Sequence, residues 1–336
     1  MLSRVADGLY WMGRYVERAE NVARLVDINL QLMLDAPAQQ AALMSKNWLP
    51  IVACFGDEAE FRKKHANAEV QDVIDFIVFD RSHTNSVVGS LCEARENART
   101  IREQITTEMW EELNRTYLWL TSKSARQAFE RNQYDFFQRI IQTMQLFGGI
   151  TNTTMLHGEA WDFIQMGKHL ERADKTTRIL DAEFHLMKQC GKNTGDSLLQ
   201  WLSVLRMCSA RQTYQRIYGA GVQPVKVAEL LLLNADLPRS VLFCMRHADD
   251  SLRRISGVAP GRFSNRAEQL SGRFLSELTF SRIDEIYSKG LHKAMDDLQI
   301  RFNQISAEFY STYIYHPEPE IIISPEPVQQ QQVQVQ

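Results

Sequence analysis

Apolar residues return every three or four positions through most of the chain. At the start they fall at Val5, Leu9, Met12, Val16, Ala19, Ala23, Val26, Leu30 and Met33, steps of four and three that draw one stripe along an α-helix. A stripe of the same spacing runs through Phe163, Met166, Leu170, Ala173, Thr177, Leu180, Phe184 and Met187. No proline lies between Pro50 and Pro224, and the intervening text is rich in the helix formers Leu, Glu, Arg, Gln, Met and Ala. Each stripe needs another helix to cover it, so the pattern predicts an all-α protein, a helical bundle.

The two stripes belong to text written twice. Residues 12–27 read MGRYVERAENVARLVD and residues 166–181 read MGKHLERADKTTRILD, with seven of the sixteen positions identical. The offset of 154 holds elsewhere without a gap: residues 77–102 lie over 231–256, where Ser86 meets Ser240, Val87 meets Val241, Ala94 meets Ala248, Arg99 meets Arg253 and Ile101 meets Ile255. Two separated stretches with one offset predict an internal duplication, about residues 1–150 and 155–310, within a single domain 1–316. Duplicated halves commonly pack about a pseudo-twofold axis, so repeated side chains are expected to converge. Beyond His316 the text changes to Pro, Glu, Gln and Val, with too little apolar surface to fold alone, and residues 317–336 are expected to be a disordered tail.

Beside the apolar stripe runs a polar one. Gly13, Glu17, Glu20, Arg24 and Asp27 share a helical face, and Gly167, Glu171, Asp174, Arg178 and Asp181 repeat it. Glu20 with Arg24, and Asp174 with Arg178, are acid-before-base pairs that ordinary helix surfaces also carry, worth about 0.2–0.5 kcal/mol each. Surface pairing does not account for the retention of Glu17-Arg18 as Glu171-Arg172. Nor does it account for a glycine four residues before each glutamate, which costs a helix interior about 1 kcal/mol against alanine. Such glycines suit a close approach of another backbone or a ligand. The residues leave two accounts open. In one, Glu17, Arg18, Glu20, Arg24, Glu171, Arg172, Asp174 and Arg178 line a groove in which arginine forks hold a carboxylate or phosphate; in the other, they fix packing. Glu96, Asn97 and Arg99, crowded with Arg102 onto one predicted helix, are further candidates, with a solvated face as the competing account.

A net charge of −3 and a pI near 6.3 supply no general attraction to polyanions, so nucleic acid is not an expected partner. Five cysteines, widely spaced and without a CxxC pair, signal neither a zinc site nor a disulfide framework; a reducing compartment, the cytoplasm, is the expectation. No run approaches 18 apolar residues, and no membrane span or leader is expected. The ExxH of ferritin-like metal sites is missing, as are the GxxxxGK[ST] and GxGxxG phosphate loops, and no metal or cofactor is expected. His157 with Glu159 suits acid-base work less well than helix capping.

Several motifs together carry a family likeness: MLSRVADGLYWMGRYVERAENVARLVD at the start, AREN at 94–97 followed by WEELN at 110–114, GEAWDFIQMGKHLERAD at 158–174 and LPRSVLFC at 237–244. In this order they resemble the bacterial alpha-E family, and the likeness runs to about residue 315. The resemblance implies an all-helical protein whose Glu-Arg motif corresponds to Glu17-Arg18 and Glu171-Arg172. It also implies the company of a circularly permuted ATP-grasp ligase and a transglutaminase-like peptidase, and hence chemistry on amide bonds, with an amino acid or peptide as ligand. The second half departs from AREN by reading ADDSLRR at 248–254, which favours one composite site over two equal ones. Three functions follow as expectations: a component that positions a carboxylate- or phosphate-bearing substrate for the ligase; a stand-alone acid-base enzyme using Glu17 and Glu171; or a helical scaffold.

Overall fold

The computed structural model describes residues 1–36, 38–46, 48–189 and 194–315, and among these every regular element is a helix. The expected tail at 317–336 and the side chains of Phe184 and Met187 lie outside the described residues. The helices of ten residues or more are α1 (Ser3–Asp35), α2 (Val87–Thr100), α3 (Thr107–Leu120), α4 (Gln133–Thr154), α5 (Glu159–Gln189), α6 (Thr194–Met207), α7 (Pro224–Leu233), α8 (Val241–Ser256), α9 (Arg266–Phe280) and α10 (Leu291–Phe309).

The two repeated stripes became the two longest helices, α1 and α5, and these pack on each other at the centre. Helix α1 ends at Asp35 because Ala36, which precedes Pro37, adopts extended backbone. Leu9, Met12, Ala19, Ala23 and Val26 on α1 and Met166, Leu170, Ala173 and Leu180 on α5 are closed to solvent. A fully buried Leu or Met contributes about 1.5–3 kcal/mol. Helices α2 and α4 cover α1, and α8 and α10 cover α5; α3 rests on α2 as α9 rests on α8.

Local details repeat at the sequence offset. Ser86 caps α2 by accepting from the Gly89 amide at 2.9 Å, and Ser240 caps α8 by accepting from the Phe243 amide at 3.0 Å. The Ser86 hydroxyl donates back to the Asp80 carbonyl, and that of Ser240 to the Asn234 carbonyl. Ser90 donates to the Thr84 carbonyl at 2.8 Å, and the Cys244 thiol to that of Pro238 at 3.5 Å. Among the described residues no helix is long and apolar enough to cross a membrane.

Candidate functional site

The glycines of the polar stripe set the spacing of α1 and α5. A β-carbon on Gly13 would lie 2.5 Å from the Ile164 carbonyl oxygen, and one on Gly167 would lie 2.2 Å from that of Tyr10. Only glycine permits backbones this close, and the approach brings the polar side chains of each helix within reach of the other.

What results is a reciprocal pair of forks. Arg18 donates from Nε to Glu171 Oε1 at 2.7 Å and from Nη2 to Oε2 at 3.0 Å; Arg172 donates from Nε to Glu17 Oε1 at 2.9 Å and from Nη2 to Oε2 at 2.6 Å. Both carboxylates are buried, Glu17 at 3% exposure and Glu171 at 0%. Burial pushes both carboxyls up, but the facing guanidiniums outweigh it and hold each well below the usual carboxylate range. The network extends differently on the two sides. Around Glu171 it takes in Arg14, whose Nε donates at 2.8 Å, and Lys175 at 3.6 Å, while Arg18 also donates to Asn85. Around Glu17 it takes in Arg239, which donates to Glu17 at 3.1 Å, to Asn21 at 2.6 Å and to Glu20 at 2.6 Å, and Glu20 also accepts from Arg24 at 2.5 Å. Asp174 accepts from Arg178 at 2.8 Å.

A cavity of about 380 Å³ opens beside Glu17. Its walls come from both halves: α1, the last turns of α4, α5, the turn after α6 and the loop before α8. Four cationic side chains line it, Arg24, Lys168, Arg172 and Arg239, against two carboxylates, Glu17 and Glu20. Burial, helped by neighbouring Arg172, holds the Lys168 ammonium down to about 8. Gly148 and Gly149 sit within the last two turns of α4 on the cavity wall, where a β-carbon would meet nothing within 4 Å. Ser209, also on the wall, is the one residue other than glycine among the described ones with positive φ, at 51°. Cys208 lines the cavity as a thiol that burial pushes up to about 12.

Of the residues singled out from sequence, Glu17, Glu20, Arg24 and Arg172 meet at the cavity. Arg18, Glu171 and Asp174 are buried in the same network, with Arg178 half-buried at its edge, and all four lie outside the cavity lining. Glu96, Asn97 and Arg99 stand apart: Glu96 and Arg99 are exposed and bonded to each other at 2.8 Å, while Arg95 stacks on Trp110 and Tyr117. Their crowding is a charged helix face. His157 stacks on Trp161 and bonds the Asn152 carbonyl, a capping contact. Arg14, Lys168 and Arg239 were not foreseen. Arg14 and Lys168 are themselves an Arg/Lys pair at the repeat offset, and that was the available signal; Arg239 aligns with Asn85 and left none. Away from the cavity, His292 Nδ1 lies 2.7 Å from Asp181, with Asp296 on its other side, a cluster that spacing in sequence does not reveal.

Residues 1–314 match the family described as Alpha-E, a predicted alpha-helical domain with a conserved ER motif. Uncharacterized proteins of Mycobacterium bovis and of Mycobacterium tuberculosis are each 24% identical over 312 residues, a match covering 88% of this chain and 34% of theirs. The chain thus spans about a third of the length of these curated relatives. No solved structure gives a significant match. With ER dipeptides at 17–18 and 171–172 at the centre of an all-helical fold, and a family match over nearly its whole length, the chain belongs to the Alpha-E family.

Proposed function

We propose that the protein is the ligand-positioning component of an amide-bond-forming or amide-modifying system, working beside an ATP-grasp ligase and a transglutaminase-like peptidase. In this role it holds a carboxylate- or phosphate-bearing amino acid or peptide in the cavity. The observation that carries the binding role is the surplus of cations over carboxylates in a half-open cavity of suitable size for a small ligand. Arg172 and Arg239 are held in place by Glu17 and Glu20, so a ligand oxyanion meets forks already oriented. The empty space beside Gly148 and Gly149, and the strained backbone of Ser209, are features that packing alone does not require. The link to a ligase rests on the family likeness, and the greater length of the mycobacterial relatives is compatible with a larger assembly.

We further propose that the two halves arose by duplication and are related by a pseudo-twofold axis. The paired contacts Gly13 with Ile164 and Gly167 with Tyr10, and Glu17 with Arg172 and Glu171 with Arg18, each exchange under the offset of 154, as an isologous interface requires.

A scaffold role is favoured for one side of the network. Glu171 with Arg14 and Arg18 adds nothing to the cavity and acts as a clasp between α1 and α5. The stand-alone acid-base reading finds less support, because Glu17 and Glu171 are both kept ionised by arginine, and an acid-base pair needs one carboxyl that holds its proton near neutrality.

The test is calorimetric titration of the full chain with phosphate and with simple carboxylates, alongside Arg239→Gln and Arg172→Gln, then co-purification with the neighbouring ATP-grasp protein. Binding that both variants weaken supports the cavity; no oxyanion binding removes it. No association with the ligase, and no effect on its activity, removes the partnership.

A further inference from the structure

Arg14 and Lys168 hold equivalent places in α1 and α5, yet their surroundings differ. Arg14 is fully engaged: beyond Glu171, its Nη1 donates to the Tyr10 hydroxyl at 3.1 Å and to Ser306 at 3.0 Å. Lys168 Nζ donates to the neutral Gln165 Oε1 at 3.0 Å and makes no ion pair among the described residues. Asn152, which corresponds to Ser306 at the repeat offset, stands in the cavity wall. One cation of the repeated set is therefore locked, and the other faces open space.

The groups around Lys168 do not neutralise it. On its own helix are Arg172, a like charge, and His169, whose burial favours the neutral ring. From α1 come Glu17, already engaged by Arg172, Arg239 and Asn21, and Glu20, engaged by Arg24 and Arg239. From α8 come Cys244, whose thiol burial pushes up to about 12, and His247, which burial also keeps towards neutral. Among the described residues both hydrogen bonds to Glu20 fall on Oε1.

Resting on the anion-binding reading above, we propose that Lys168 anchors a second negative charge, so that the cavity selects doubly charged small oxyanions, a phosphate monoester or a dicarboxylate, over singly charged ones. An ammonium on a flexible stem can follow either geometry, whereas the guanidiniums set the first contact. A dianion also cancels the two-charge surplus of the lining, which a monoanion only halves. Because Lys168 titrates close to neutrality when the cavity is empty, a bound dianion recruits a proton to it.

The experiment is calorimetry on the full chain with inorganic phosphate, glutarate, acetate and butyrate, for the natural protein, Lys168→Gln and Lys168→Arg, repeated near pH ~8.5 in buffers of different ionisation enthalpy. The expected result is that phosphate or glutarate binds at least roughly tenfold tighter than the monoanions. Lys168→Gln abolishes that preference, weakening phosphate and glutarate by roughly tenfold more than it weakens acetate. Proton uptake accompanies binding to the natural protein and disappears in Lys168→Arg, which keeps the preference. Preference for phosphate over glutarate assigns a phosphate ligand, and the reverse assigns a dicarboxylate. Equal affinity for all four anions, or a dianion preference that survives in Lys168→Gln, overturns the assignment of Lys168 and leaves the anion site standing. Absence of binding by any of them overturns both.

Discussion

Glu17 and Glu171 are the acids of the two Glu-Arg pairs, yet they do not share an opening: Glu17 lines the cavity, while Glu171 is enclosed by Arg14, Arg18 and Lys175. Removing either charge leaves buried guanidiniums without a counter-ion, at a cost of about 3–5 kcal/mol. The two losses should nonetheless differ in whether a ligand can repair them. Phosphate should raise the melting temperature of Glu17→Gln by more than it raises that of the natural protein, since the anion supplies the missing charge through the cavity. Glu171→Gln should gain no such extra shift. Thermal denaturation with and without phosphate measures both, and equal rescue of the two variants would contradict the division into site and clasp.

Gly13→Ala is expected to destabilise despite alanine's better helix propensity. The added methyl meets the Ile164 backbone, which cannot turn aside as a side chain could, so α1 and α5 must separate. Overpacking of this kind costs about 1–3 kcal/mol or more, against a propensity gain of about 1 kcal/mol. Gly148→Ala, where a β-carbon meets open space, should stabilise by roughly the propensity term. Urea denaturation of the two variants decides; a stabilised Gly13→Ala would mean the helices are not in backbone contact.

Much of this arrangement was legible in the sequence, for a physical reason. Burial on a helix is periodic, so Leu9, Met12, Val16 and their fellows announced α1, and the recurrence of the pattern announced α5. The glycines and the Glu-Arg pairs stood out because each is costly without a partner. Partners across space leave weaker marks. Nothing local in LPRS says that Arg239 will reach Glu17, Glu20 and Asn21 on another helix. Dense charge at Glu96, Asn97 and Arg99 does not report which face a helix turns to solvent, and the structure places them away from the cavity. The pairing of Arg14 with Lys168 was visible, and only the cavity gave it meaning.

Acid should loosen the central contact in a defined window. The Glu17 and Glu171 carboxyls titrate lower in the folded chain than in the unfolded one, so their contribution is fully present above the ordinary carboxylate pKa of about 4.5. It is lost as the pH falls through the lower folded values. Unfolding free energy measured from pH ~6 to pH ~2.5 should drop steeply below pH ~4.5 in the natural protein, and less steeply in Glu17→Gln/Glu171→Gln. Parallel curves would show that other carboxylates carry the acid sensitivity.

Lys168 should behave in the opposite sense. Its folded value near 8 lies below the 10.5 of a free lysine, so the charged form opposes folding, fully so below pH ~8 and progressively less towards pH ~10.5. Lys168→Met should therefore stabilise the protein at pH ~7 by on the order of 2 kcal/mol, and the gain should shrink to nearly nothing by pH ~10.5. A loss of stability at neutral pH would mean that the ammonium is already satisfied.

The reciprocal forks between α1 and α5 also bear on how the chain holds together when its backbone is cut. Each half carries one carboxylate and the arginine that the other half needs, and the segment 155–158 that joins them is a short non-helical link with Leu156 fully outward. Nicking that link should leave a stable non-covalent complex, and the two fragments expressed apart should assemble when mixed. In that sense the molecule is a heterodimer whose subunits happen to be translated together.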